Sequence, residues 1–400
     1  VRALAKKALR YAGLAAIFVA GLEAMARLDD MLSEDAPFFG PYDAQAMLLD
    51  RDSLGIKGKA HGRFEKWVLN SKGFRGPEPA LPKPPGNIRI VTLGASETFG
   101  LYESDRKHWP AQLRRHIKAR YPGRRIELVN AGIVGLTMGS LENYYRHRVE
   151  ELEPDLVILY PHFIDFIAGD GPGGRKRRES QVQVAGQGGP KADEGEDGFE
   201  IGPPRFPGKL KLAVKTKAPR PILEWAARRK LERALAALDT ASQVDAYDSL
   251  DFARFDSLAN SFAAYLRGRG VDLAISDYAC SFVKGPREET LEGLENLWRV
   301  YPWMSERALV EGLAVYNRRL MDIADRHGAL KVSQASLLDG YRENWVADGL
   351  HFTDQGATMA TRNFIPVVDG WIDRELAARG DSLLKRNPVV QGRTEDIPVP

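Results

Sequence analysis

The 400-residue sequence predicts an α/β fold, a three-layer α/β/α sandwich on a mostly parallel, flavodoxin-like sheet. Short apolar and β-branched runs recur at 88–93, 125–129, 155–160, 271–276 and 330–332, the composition of strands buried on both faces. Helix-period segments fall between them, and strands alternating with helices imply a parallel, helix-covered sheet. A hydrophobic content of 44% fills one packed core with appendages, so one α/β domain is expected over residues 88–376.

Taken in order, the first 30 residues stand apart. Arg2, Lys6, Lys7 and Arg10 precede an uncharged stretch from Tyr11 to Leu22, and such a pattern reads as a membrane anchor or a signal segment. The positive-inside bias keeps residues 1–10 in the cytoplasm and exports the rest of the chain. A single-pass inner-membrane anchor with the remainder in the periplasm is the expected arrangement. Cleavage at Ala24-Met25-Ala26 with secretion of the remainder is the alternative.

Residues 31–87 are rich in Pro and Gly with short apolar runs, and a connector along the domain surface is expected there. Ile88–Leu93 is the first core strand, and the glycine-bounded turn Gly94-Ala95-Ser96-Glu97-Thr98-Phe99-Gly100 comes directly after it. A helix from Trp109 to Ala119 comes next, with Trp109, Leu113 and Ile117 on one face. A serine at the carboxyl end of a parallel strand sits where open α/β sheets place their ligands. The second strand ends at a loop from Asn130 to Gly135, a helix is expected from Leu141 to Leu152, and Pro154 stops it before the third strand.

From about 169 to 245 an insertion interrupts the core. Its first part is Gly, Pro and charge, too poor in apolar residues to offset its ordering entropy, so a flexible segment is expected. The helix expected from Pro221 to Leu238 either covers the site or packs elsewhere. The core resumes with a helix from Leu250 to Arg267 and the fourth strand, and a second insertion covers about 284–303. Its Trp298, Tyr301 and Trp303 suit hydrophobic packing or stacking on sugar rings. A helix from Arg307 to His327, the fifth strand, a loop containing Asp348-Gly349-Leu350-His351 and a helix from Gln355 to Phe364 complete the core. Residues 377–400 are read as a mobile tail.

Composition excludes several functions. Fifty-seven basic against 54 acidic residues leave a formal charge of +3, and no aromatic and arginine pattern of the nucleic-acid-binding kind appears, so no nucleic-acid partner is expected. The single cysteine, Cys280, allows neither an internal disulfide nor a cysteine-based zinc site, and its apolar surroundings suit a buried thiol. A metal reading of Asp348 and His351 lacks further ligands at suitable spacing, so neither metal nor organic cofactor is expected.

The ordered set of motifs resembles the SGNH or GDSL hydrolases, in their membrane-anchored bacterial form. Gly94 to Gly100 is similar to their nucleophile block Gly-Asp-Ser-x-Thr-x-Gly, with Ala95 in place of aspartate. Val129 to Gly135 resembles their second block, which ends in an oxyanion-hole glycine, and Asp348 with His351 resembles their Asp-x-x-His. The resemblance implies an exported serine esterase in which Ser96 attacks, His351 is the base and Asp348 orients it. Backbone donors from Ser96 and Gly135 would face the oxyanion, a geometry that glycine permits. Ile164 stands where the family carries an asparagine donor, and His162 is the candidate replacement. Anchored relatives often act on acyl groups of cell-surface polysaccharides, so the implied partner is an acylated glycan or another ester. The same serine would serve a glycan O-acyltransferase, and Ala95 with Ile164 suits a catalytically weak glycan-binding or assembly protein.

Overall fold

The structure, a computed structural model, describes residues 2–162, 202–210, 219–245, 252–283, 287–298, 302–346 and 348–380. Five strands, β1 Ile88–Leu93, β2 Ile126–Asn130, β3 Leu156–Leu159, β4 Asp272–Ser276 and β5 Leu330–Val332, form one sheet in the order β2-β1-β3-β4-β5. Every pairing in it is parallel. The α/β sandwich with a parallel sheet is therefore the observed fold. The chain crosses over between β2 and β3, so the carboxyl ends of β1 and β3 flank the crevice where such sheets bind ligands.

Eight helices are named here: α1 Arg2–Glu34, α2 Trp109–Arg120, α3 Met138–Tyr144, α4 Arg220–Ala236, α5 Ala253–Gly268, α6 Arg287–Trp298, α7 Glu306–His327 and α8 Asp354–Ala378. Helices α2 and α8 pack on each other, while α5 packs against both α3 and α7. With right-handed crossovers these two groups cover opposite faces of the sheet. Trp109 of α2 stacks on Phe364 of α8 with ring centroids 4.3 Å apart. Every residue of β1 is buried, which is why its sequence reads as a continuous apolar run. Arg89 is the exception in that run. Its guanidinium is matched by Glu127 at 2.7 Å and by the carbonyls of Ala80 and Leu152.

Two expected helices differ from their sequence reading. The segment expected as one helix from Leu141 to Leu152 is α3, then a π-turn at Tyr145–Val149, then a 3₁₀ turn at Glu150–Leu152. The wider turn lets both Tyr144 and Tyr145 be buried, and Glu153 with φ 50° ends the run before Pro154. Helix α8 continues past Phe364 to Ala378, through Pro366. Val368, Trp371, Ile372 and Leu376 keep the buried stripe at three- and four-residue spacing, and that packing outweighs the proline's missing hydrogen bond.

The segment expected to run along the surface is instead built into the domain. It carries two short hairpins, Leu49–Asp52 with Gly55–Gly58 and Arg63–Phe64 with Trp67–Val68. Leu48, Trp67 and Leu69 form a small core with Phe99. Arg75, buried, donates to the carbonyls of Phe99 at 2.7 Å and Gly100 at 2.5 Å. The Asn70 to Gly76 stretch thereby holds the end of the Ser96 turn in place.

In and just before the second insertion, Cys280, Trp303 and Trp298 bear on the sequence reading. Cys280 is fully buried, Trp303 is buried, and Trp298 donates from its indole to the Met304 carbonyl at 2.8 Å. Both tryptophans are used in packing, while Tyr301 lies outside the described residues. Ile222 and Trp225 of α4 face solvent. The glycine-rich part of the insertion, Ile164 and the tail from 381 onward also lie outside the described residues.

Helix α1 has two environments. Leu9, Leu14, Ile17, Phe18 and Val19 are exposed, whereas Ala26, Arg27 and Asp30 are buried against the segment 202–210. Glu23 accepts from Arg27 at 2.7 Å and from the amides of Arg205 and Phe206 at 2.9 Å each, and Arg27 donates to the Gly202 carbonyl at 2.8 Å. Leu9–Glu34 is long and apolar enough to cross a membrane.

Candidate active site

The site forms where β1 gives way to the one-turn helix Ser96–Phe99. Gly94 is required here by close approach. A Cβ on it would lie 2.2 Å from Thr98 Oγ1 and 2.6 Å from the Tyr160 carbonyl oxygen. The loop after β2 presses on the other side of the turn, and at Gly132 an added Cβ would come within 2.7 Å of the Phe99 nitrogen. Asn130 stitches these parts together. Its Nδ2 donates to the Thr98 carbonyl at 2.9 Å while its Oδ1 accepts from the Gly132 amide at 3.0 Å.

Ser96, Asp348 and His351 are brought together. His351 Nε2 lies 2.8 Å from Ser96 Oγ, although the two residues are 255 positions apart in the chain. The other ring nitrogen, Nδ1, lies 2.8 Å from Asp348 Oδ2. Asp348 is itself held, because its Oδ1 accepts from the amides of Leu350 at 2.9 Å and His351 at 3.0 Å. The Asp-x-x-His spacing thus lets one carboxylate fix the loop backbone with one oxygen and the imidazole with the other. With Asp348 accepting from Nδ1–H, Nε2 is left facing the serine hydroxyl, the arrangement a general base requires.

The electrostatics agree with this. Burial raises the Asp348 carboxyl, but the His351 hydrogen bond and charge, with the two amides, bring it below the ordinary value. Burial lowers His351, and the Asp348 hydrogen bond, then the charge of Glu97, outweigh that and raise it above the ordinary histidine value. The ring of Tyr102 meets the imidazole edge-on at 5.0 Å between centroids.

Gly135 and His162 occupy different places relative to this trio. Gly135 is exposed with φ +84°, a left-handed conformation that suits glycine, and the loop bearing it is tied to β1 by Ile133 N–H donating to the Gly94 carbonyl at 3.1 Å. The Ser96 amide opens its helix and so has no intrahelical acceptor. His162 comes just after β3 and shares a small cleft with Gly94, Ala95, Leu136, Thr137 and Tyr160. Its Nε2 is 3.9 Å from Glu97 Oε2. Ser96 and His351 do not line that cleft, which opens beside them.

Two carboxylates were not signalled by the motifs. Glu97 is buried, accepts the Tyr278 hydroxyl on Oε1 at 2.9 Å, and has Oε2 3.2 Å from Ser96 Oγ. Glu103, also buried, accepts from the Tyr102 amide at 3.1 Å. Among the described residues no three His, Cys, Asp or Glu side chains are grouped as a metal site requires.

No protein-family model matches the chain, and no curated protein matches it. Several solved structures are similar to it. LAE5, an alpha/beta hydrolase enzyme from the metagenome of Lake Arreo in Spain, is 17% identical with a TM-score of 0.39, over 74% of this chain and 96% of that one. Axe2, an acetylxylan esterase from Geobacillus stearothermophilus, is 13% identical with a TM-score of 0.40, over 71% of this chain and 95% of its own. TesA is 13% identical with a TM-score of 0.37, over 70% and 97% respectively.

Proposed function

We propose that this chain is a serine ester hydrolase, acting outside the cytoplasm on acyl groups of a cell-surface glycan, acetyl groups foremost. One observation carries the catalytic reading: the unbroken hydrogen-bonded path Ser96 Oγ, His351, Asp348 at the carboxyl end of the first parallel strand. Ser96 Oγ attacks the ester carbonyl while His351 Nε2 takes its proton. The imidazolium, balanced by Asp348, returns that proton to the leaving alcohol oxygen as the carbon–oxygen bond breaks. Water, deprotonated by the same nitrogen, then releases the acid and restores Ser96. The oxyanion is met by the amides of Ser96 and Gly135, with His162 as a third donor from the cleft wall. The glycan substrate rests on the resemblance of the three sequence blocks to anchored esterases.

The test is exposure of the purified full chain to an activated phosphonate that labels nucleophilic serines. A single adduct on Ser96 is expected, together with acetate release from an acetylated glycan. An adduct on another serine overturns the assignment.

The anchor reading is favoured over a cleaved signal because cleavage at Ala24–Ala26 would discard Glu23, which holds Arg27, Arg205 and Phe206. Residues from Ser33 onward are expected outside the cytoplasm. A reporter that works only in the cytoplasm, fused after Asp30, should be silent, and a signal from it refutes the orientation.

A further inference from the structure

The acyl-transfer chemistry of Ser96, His351 and Asp348 leaves one buried carboxylate at the nucleophile without a task. Glu97 Oε2 lies 3.2 Å from Ser96 Oγ, and His351 Nε2 lies 2.8 Å from the same oxygen. Two acceptors therefore converge on a hydroxyl that owns one hydrogen. Glu97 cannot turn to water, because it is 2% exposed and its Oε1 is engaged by the Tyr278 hydroxyl at 2.9 Å.

The three atoms Nε2, Oγ and Oε2 make two contacts, and each hydrogen bond needs one hydrogen between its ends. The hydroxyl supplies one. The other arrives with a proton on His351. When His351 carries it, the imidazolium donates to Oγ, and the hydroxyl hydrogen turns to the Glu97 carboxylate, away from its base. Loss of that proton leaves neutral His351 facing the hydroxyl beside a charged Glu97, which is the form that attacks.

We propose that Glu97 competes with His351 for the Ser96 hydroxyl hydrogen and holds the imidazolium in place, so that Glu97 sets the pH at which the serine is released for attack. The inference rests on Ser96 being the nucleophile. The groups facing Glu97 are Ser96, Tyr278 from the loop after β4, Tyr160 and His162 at the end of β3, and His351. Those facing His351 are Asp348, Glu97, Glu103 and the Tyr102 ring. A negative charge at Glu97 favours the imidazolium, so a neutral residue there should let His351 lose its proton at lower pH.

The rate of Ser96 labelling by the phosphonate, measured from pH 5 to 9 in the full chain, reads this directly. In Glu97→Gln, which keeps an acceptor for Tyr278, the rise in rate should move down by about one pH unit, about a tenfold gain on the acid side. Tyr278→Phe should move it the other way, since a carboxylate freed of that donor pulls harder on the hydroxyl hydrogen and on the imidazolium. A merely structural role for Glu97 would slow labelling equally at every pH, and coincident profiles in the three proteins overturn the proposal. The titration of the His351 ring nitrogens by NMR, in wild type and both variants, gives an answer without catalysis. If wild type shows no Ser96 adduct at any pH, the hydrolase reading fails. Opposite displacements of the His351 titration in the two variants would still establish the hold of Glu97 on the imidazolium, and unmoved titrations would refute it. Should Glu97→Gln not fold, Tyr278→Phe alone decides by the sign of its displacement.

Discussion

His351→Ala is expected to lower ester turnover on the order of 10⁶-fold, and Asp348→Asn on the order of 10⁴-fold. The difference comes from what each change removes. Without the imidazole, nothing beside Ser96 Oγ on that side can take its proton, and the hydroxyl keeps only its contact with Glu97. With asparagine at 348 the ring remains. Its amide, however, presents a donor as readily as an acceptor to Nδ1, so the tautomer with a free Nε2 is no longer enforced. The chain's own geometry makes Asp348→Asn a clean test of that point. The oxygen Oδ1 still accepts from Leu350 and His351 backbone amides, so the loop should keep its shape. Steady-state turnover of an activated acetate ester measures both. Turnover of His351→Ala within tenfold of wild type would remove His351 from the chemistry.

Glu103→Gln is expected to stabilise the protein on the order of 3 kcal/mol above pH 8 and to have little effect near pH 4. Burial holds the Glu103 carboxyl up at about 7, against an ordinary value of 4.5, despite the opposing hydrogen bonds and the charge of Arg75. The folded state thus binds the proton more tightly than the unfolded one. The stability it contributes is complete below pH 4.5 and is lost as pH rises through 7. Glutamine mimics the protonated acid at every pH, so the variant should not show that decline. Urea unfolding midpoints at pH 5, 7 and 8.5 check it. A constant difference between the two proteins across that range would sink the account. Because Glu103 also bears on His351 electrostatically, the same variant should lower the pH at which the imidazole gives up its proton.

Much of the scaffold was legible because burial on both sheet faces leaves a strong mark on a sequence. The apolar runs of β1, β3 and β4 and the run of β5 coincide with the strands to within about a residue at each end. The convergence of Ser96, Asp348 and His351 was legible because the motif blocks that carry them restrict residue type and order together. Glu97 was not, since a glutamate beside a turn serine normally reads as solvated. Its only signal was a lone charge inside a segment that is otherwise apolar or small, Leu93 to Phe99, and the inward direction of its side chain depends on Tyr278, 181 residues away. Arg75 was hidden for the same reason, because its acceptors are carbonyls of Phe99 and Gly100, which every sequence possesses. Helix α8 was read too short because proline is a local signal, whereas the stripe that overrides it is recognised only by its burial against the core.

The 255-position separation of Ser96 and His351 also fixes the order in which the trio is assembled. During synthesis the strand and turn that present Ser96 are complete long before the loop that carries His351 exists. A contact of such sequence separation is among the last that a folding chain closes. Until that loop has folded back onto the turn, Ser96 lacks the imidazole that the proposed mechanism needs. Proteolysis from the carboxyl end reverses the order. Removal of residues from Asp348 onward would take away His351 while leaving all five core strands and the nucleophile turn in the chain.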